Sequence, residues 1–273
     1  MRLPWGLAFV ALPAWAQSPA LTPPAPPRDP MPRHVAFIIE SRAVGEPRVI
    51  NVYTPPGYDS LTSTSFPVVY MPDGGLAEDF PHIANTLDSL IALRAIAPVI
   101  LVGIENTERR RDLTGPTAVA SDSAIARRVG GSAGFRRFIR EELMPEIRRR
   151  YRSTDETTIV GESLAGLFIV ETFLLEPDLF RRYIALSPSL WWNAGVLLRI
   201  APQRLKELTG GPRTLYLTAA TEPGIAAETA ALAGILREHA TAGLLWYYEP
   251  RPDLEHSTIF RRAAPTAFVT VLK

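Results

Sequence analysis

The chain has no cysteine, two lysines (Lys206 and Lys273) and four histidines in 273 residues. Without cysteine there is no disulfide framework, no thiolate metal site and no lipid-modified N-terminal cysteine. The four histidines are scattered and show no clustered ligand spacing, so no metal and no other cofactor is expected. A formal charge of +1 leaves no bulk excess to hold nucleic acid. The arginine runs at 109–111 and 148–150 sit near acidic residues and read as solvated faces rather than phosphate grips.

What is present divides into three parts. Residues 1–16 carry an early arginine, an apolar stretch too short to span a bilayer and the small-x-small triplet Ala14, Trp15, Ala16. This is a secretory signal pattern with cleavage after Ala16, which implies a periplasmic or secreted bacterial protein with no stable membrane insertion afterwards. Residues 17–32 hold seven prolines in sixteen positions, a linker composition that stays extended. Residues 33–273, in a chain that is 47% apolar, suffice for one domain with one large core.

From residue 33, apolar strand-like runs alternate with helix-length segments, the pattern of an α/β fold on a mostly parallel sheet. "HVAFIIES" and "PRVINVYTPPGY" form an antiparallel entry pair. "FPVVYMPDGG", "APVILVGI", "TTIV", "RRYIALSP", "RTLYLTAAT" and "LLWYYEP" follow as strands apolar on both faces, which belong inside a sheet covered by helices on each side. "FRRFIREELMPEIRRRY" spaces Phe135, Phe138, Ile139, Leu143 and Ile147 helically, with a bend expected at Pro145. "AAETAALAGILREH" is a second clear helix.

The stretch "TIVGESLAGLF" puts Ser163 between a buried strand, Thr157 to Val160, and a helix from Leu164 to Leu175 that is apolar almost all round. A serine at such a turn has the geometry of a nucleophile elbow, which lifts Oγ above the sheet and aims the next N–H at a developing oxyanion. Gly161 and Gly166 let strand and helix approach closely, while Ala165 stands where the usual pattern has glycine. A serine hydroxyl needs a base and an acid to orient that base. In a hydrolase of this fold both follow the serine, which excludes His34 and His82. His239 closes the "AAETAALAGILREH" helix, where a cation favours the dipole; His256 lies in a loop after the final strand, where a base is expected. For the acid, Glu222 follows "RTLYLTAAT", with Asp253 and Glu255 as competitors close to His256 in the chain. A second oxyanion donor is expected in the loop after the third strand, where "MPDGG" offers Gly74 and Gly75.

Together, "FPVVYMPDGG", "VGIENTERRRDLT", "VGESLAGLF" and "FRRYIALSPSLWWN" resemble the Putative esterase branch of the α/β-hydrolase superfamily. That group contains the enterobactin and bacillibactin siderophore esterases and, more distantly, S-formylglutathione hydrolases and mycolyltransferases. The resemblance covers residue 34 to the end. It implies an α/β-hydrolase fold, Ser163 as nucleophile, His256 as base, and oxyanion donors at the N–H groups of Leu164 and Gly75. Glu222 is implied less firmly, since some siderophore esterases work with a serine and histidine pair. The segment 105–131 would line the pocket through Asn106, Arg111 and Asp112. Trp191 and Trp192 offer an apolar wall for a bulky acyl group or ordinary core packing, and neighbours in an extended segment point opposite ways. The expected activity is hydrolysis of a small-molecule carboxylic ester through an acyl-enzyme, with a siderophore ester or lactone among the substrates. An acyltransferase and an inactive binding protein on the same scaffold are the alternatives. Oligomeric state is not legible.

Overall fold

A computed structural model describes residues 29–209 and 211–273; the signal pattern and most of the proline-rich segment lie outside them. Among the described residues the strands are β1 (Val35–Ser41), β2 (Glu46–Tyr53), β3 (Phe66–Pro72), β4 (Ile100–Ile104), β5 (Ser153–Glu162), β6 (Arg182–Leu186), β7 (Arg213–Thr218) and β8 (Leu244–Tyr248). They form one sheet in the order β1-β2-β4-β3-β5-β6-β7-β8. β2 runs antiparallel to β1 and to β4, and every other neighbour pair is parallel.

Alternation along each strand explains why both faces are covered. Val68 and Tyr70 of β3 point into one core with Phe135, Phe168 and Leu197, whereas Val69 and Met71 point into the other with Phe80, Leu87 and Phe268. Each such side chain is fully buried, worth roughly 1.5–3 kcal/mol by removal from water. The helices that supply these partners are α1 (Phe80–Ala92), α4 (Ser132–Phe138), α6 (Leu164–Leu175), α7 (Trp192–Lys206) and α9 (His256–Leu272), with short α2 (Arg109–Asp112) and α3 (Ala120–Ser123) in the β4–β5 connection. α5 (Met144–Arg150) precedes β5, and α8 (Ile225–His239) joins β7 to β8.

Pro145 bends its helix as a π-helical turn, Ile139–Leu143, between α4 and α5. Proline has no N–H to give to the carbonyl four residues back, so the wider turn just before it takes up the change of register. β5 starts four residues before the expected Thr157, because Ser153 pairs with Phe66 and the extra residues before Thr157 meets Val68 bulge out of β5. α6 has the expected bounds, and all of it but Leu175 is buried. The end of the proline-rich segment touches the domain: Asp29 pairs with Arg261 on α9, and the Pro30 carbonyl accepts from Asn85 Nδ2 on α1 (2.8 Å).

Candidate active site

Ser163 follows β5 directly and precedes α6 with φ 61° and ψ −119°. A side chain rarely adopts this backbone, at a cost on the order of 1–3 kcal/mol, so its surroundings must hold it. Its N–H donates to the Leu186 carbonyl (3.0 Å), and its own carbonyl accepts from Leu167 (2.9 Å) and Ser189 (3.1 Å). A Cβ on Gly166 would meet the Leu186 oxygen and Pro188 Cα at 3.0 Å, and one on Gly161 would meet the Ala165 methyl at 2.6 Å. The methyl at 165 therefore occupies the space that a glycine at 161 leaves open.

His256 opens α9, and its Nε2 lies 3.0 Å from Ser163 Oγ. Two loops bring it there. Thr221 N–H donates to the Leu254 carbonyl (3.3 Å), and Arg251 N–H to the Ala219 carbonyl (2.8 Å), so the segment after β7 and the one after β8 lie side by side. Glu222 Oε1 stands 3.6 Å from His256 Nδ1, beyond hydrogen-bond reach, and Nδ1 has no other partner. The rival carboxylates are occupied: Asp253 is held bidentately by Arg251 (2.8 and 2.7 Å), and Glu255 caps α9 in a capping box with Thr258. His239 lies in the last turn of α8, beside Glu238.

A second carboxylate sits at the imidazole that sequence reasoning did not assign. Glu162 Oε1 is 3.0 Å from His256 Nε2, the same nitrogen that faces the serine. The approach is close, but its angle falls outside a hydrogen bond because that nitrogen is directed at Oγ. Glu162 raises the imidazole above its usual range, chiefly by this contact; burial opposes the rise, and the charges of Glu162 and Glu222 add to it. Burial in turn raises the Glu162 carboxyl, against the pull of His256 and Arg109.

The loop after β3 is built by close backbone contact. Asp73 is left-handed at φ 57°, and any Cβ on Gly74 would fall 2.3 Å from Gly103 Cα. Buried Asn51 donates to the Gly74 carbonyl (3.0 Å). The Gly75 N–H donates to Glu78 Oε2 at 2.7 Å, so an oxyanion would have to take that amide over. Leu164 opens α6, where the first N–H groups have no intrahelical acceptor. Asn106 Nδ2 bridges Asp73 Oδ1 (2.5 Å) and Glu78 Oε1 (2.8 Å), and Arg109 clasps Asp73 (2.6 and 2.8 Å).

Not every residue expected at the pocket reaches it. Asp112 is 1% exposed and locked between Arg48 (2.5 Å) and Arg111 (2.7 Å), so it braces the loop from beneath and meets no substrate. Arg48 is itself fully buried, with its guanidinium 5.2 Å from the Phe135 ring centre. Arg111 lines a cleft of about 420 Å³ with Arg109, Arg110, Arg127 and Arg128, and neither Ser163 nor His256 is among the residues lining it. The 109–111 run is thus a solvated face only at Arg110; Arg109 and Arg111 turn inward to carboxylates, because buried Asp73 and Asp112 need cations. Trp192 is 2% exposed and donates Nε1–H to the Gly115 carbonyl (2.8 Å), which makes it core. Trp191 is 37% exposed and lies two residues past Ser189, whose Oγ is 3.5 Å from that of Ser163. Asn193, Ala194 and Gly195 form a left-handed run beyond it, held by Asn193 N–H donating to Asp122 (2.7 Å).

The Putative esterase family model matches residues 41–215. The chain belongs to this family. An IroE-like serine hydrolase from Shewanella oneidensis superposes with a TM-score of 0.80 at 26% identity, over 87% of this chain and 79% of that one. The BES protein of Bacillus cereus does so at 0.75 and 20% identity, over 86% and 93%. With the strand order above, the fold of this esterase-family chain is that of the α/β-hydrolases. In sequence it is 35% identical to the ferri-bacillibactin esterase BesA of Bacillus subtilis over 49% of this chain and 51% of that protein. It is 32% identical to the siderophore triacetylfusarinine C esterase of Aspergillus fumigatus, over 63% and 61%. The chain thus spans between half and two thirds of the length of these two relatives.

Proposed function

We propose that this protein is a serine esterase that hydrolyses carboxylic esters, siderophore-type esters or lactones among them, through an acyl-enzyme. The observation that carries the proposal is Ser163 Oγ, presented on a strained turn 3.0 Å from His256 Nε2. In the first step Oγ attacks the ester carbonyl while its proton passes to Nε2, and the N–H groups of Leu164 and Gly75 hold the oxyanion. The proton then goes to the departing alcohol oxygen. A water next attacks the acyl-serine while giving a proton to Nε2, and Nε2 passes that proton to Oγ as the carboxylic acid leaves. Glu222, near Nδ1, orients the ring in both steps. Exposed Trp191 supplies an apolar wall, and the arginine cleft beside Arg109 suits anionic groups of a bulky substrate. The siderophore reading draws on the two siderophore esterases to which the chain is similar.

A hydrolysis panel tests this: short p-nitrophenyl esters against a ferric siderophore trilactone, with Ser163→Ala as the blank. Near-normal turnover by Ser163→Ala would overturn the assignment. Export belongs to the same proposal and rests on residues 1–16; the mature protein recovered from periplasm or medium is expected to begin at Gln17 by N-terminal sequencing, and an intact Met1 would contradict it.

A further inference from the structure

We propose that Glu162 is a positioning residue for His256, acting from the Nε2 side of the ring to set when the base is free to accept the serine's proton. This rests on the reading of Ser163 and His256 as nucleophile and base. The geometry is specific. Glu162 is the last residue of β5, adjacent to the serine, and the rigid turn gives its side chain little choice of direction. Its Oε1 lies 3.0 Å from Nε2, accepts no hydrogen bond and is shielded from water, whereas the carboxylate on the far side of the ring stops 3.6 Å from Nδ1. The nearer negative charge therefore sits at the reacting nitrogen.

The charged groups at this pair come from five directions. Glu162 arrives from β5, Glu222 from the loop after β7, Arg109 from α2, Asp73 from the end of β3, where Arg109 holds it, and Asp79 from the N-cap of α1. Arg109 opposes a proton on the ring and the carboxylates favour it. In the free enzyme a proton held on Nε2 is favoured by the Glu162 charge 3.0 Å away, and in that form the ring cannot accept from Oγ. Loss of that proton to solvent creates the base. During attack the Oγ proton returns to Nε2, and the positive ring is then faced by Glu222 at one nitrogen and Glu162 at the other; the same proton next leaves with the alcohol. Glu162 thus withholds the base until higher pH and stabilises the charged ring as the reaction proceeds.

The experiment is the pH profile of kcat/KM for p-nitrophenyl acetate in the full chain, in Glu162→Gln and in Ser163→Ala. For Glu162→Gln the acid limb is expected to move down by about half a pH unit or more, leaving roughly threefold more base below the limb, while the plateau falls about tenfold. A side chain that only shaped the turn would lower the plateau and leave the limb in place, and that result overturns the proposal. If Glu162→Gln gives no cooperative thermal transition, Glu162→Asp replaces it: a charge drawn back along a shorter arm moves the limb in the same direction by less, and an unmoved limb again refutes the role. Full activity in Ser163→Ala would instead sink the esterase reading, so the two failures are distinguishable.

Discussion

The contact between residues 161 and 165 makes the elbow testable as a steric unit. A Cβ built on Gly161 would lie 2.6 Å from the Ala165 methyl, 3.2 Å from Ile169 Cδ1 and 3.3 Å from the Ala165 carbonyl carbon. Two methyl carbons pack near 3.6 Å, so Gly161→Ala forces a shift of about 1 Å between atoms anchored directly to backbone, and overpacking of this kind costs ~3 kcal/mol. Ala165→Gly removes one buried methyl, about 0.8 kcal/mol, and adds up to about 1 kcal/mol for glycine in a helix. Independent effects would sum to ~4–5 kcal/mol. In the double variant the methyl has only changed sides and the 2.6 Å clash is gone, although the contacts at 3.2 and 3.3 Å remain. The double variant is expected to lose only ~2–3 kcal/mol, a coupling of about 2 kcal/mol. Urea midpoints followed by far-UV circular dichroism for the four proteins measure the cycle, and p-nitrophenyl acetate turnover shows whether the serine keeps its place. Additivity within about 0.5 kcal/mol would show that the methyl at 165 does not fill the space over Gly161, and the reasoning would fall.

Because Glu222 stops short of Nδ1, Glu222→Ala is expected to lower kcat by about 10- to 100-fold, well short of the ~10⁴-fold of a fully hydrogen-bonded acid, and a loss as large as that of Ser163→Ala would contradict the 3.6 Å separation. Asp112→Asn leaves the buried Arg48 charge without its closest anion and is expected to cost about 3–5 kcal/mol, read as a lowered urea midpoint; a change under about 1 kcal/mol would refute the buried network. Asp79, the N-cap of α1, and His82 in its first turn should oppose each other in pH dependence. Burial first, then the charges of Asp73 and Glu162, raise Asp79 to about 6, so its contribution is present below pH ~4 and lost as pH rises through about 6. Burial lowers His82 to about 4, so its contribution is present above pH ~6.5 and lost as pH falls through about 4. Each effect is on the order of 3 kcal/mol, so the two largely offset each other between pH 4 and 6.5. Asp79→Asn is expected to lose stability as pH falls across that window and His82→Leu as pH rises, and unchanged urea-midpoint slopes in both would overturn the pairing.

Legibility in the sequence followed the range of the forces involved. α6 announces itself because a run from Leu164 to Leu175 that is apolar all round has nowhere to go but between sheet and neighbouring helices. The glycines at 161 and 166 are local signals, and the close approach of strand and helix follows from them. No periodicity describes α7, whose first residue is followed by three left-handed ones, and α1 is hidden because its start, Phe80-Pro81-His82, follows a glycine turn that reads as loop. Asp112 was placed at the pocket because nothing nearby in sequence shows that Arg48, 64 positions earlier, waits for it in the core. Likewise the Gly75 amide is legible as a donor, but its engagement by Glu78 depends on how three residues fold back on themselves. Glu162 reads in the sequence only as a charge beside the serine; its distance from Nε2 is set by the two loops that carry Glu222 and His256, the latter 93 residues downstream of Ser163, and no short motif encodes that.

The direction in which α9 runs has a practical consequence for attaching this protein to a surface. His256 opens that helix at the serine, and Lys273 follows its last residue, about 25 Å away along a 17-residue rod. Lys206, the other lysine, ends α7, whose first residue is the buried Trp192. Both lysines are exposed. Reagents that couple to side-chain amines would therefore grip the molecule at the far ends of two helices whose near ends frame the serine, and beads or sensor chips derivatised in this way should present the mouth of the site to the solution.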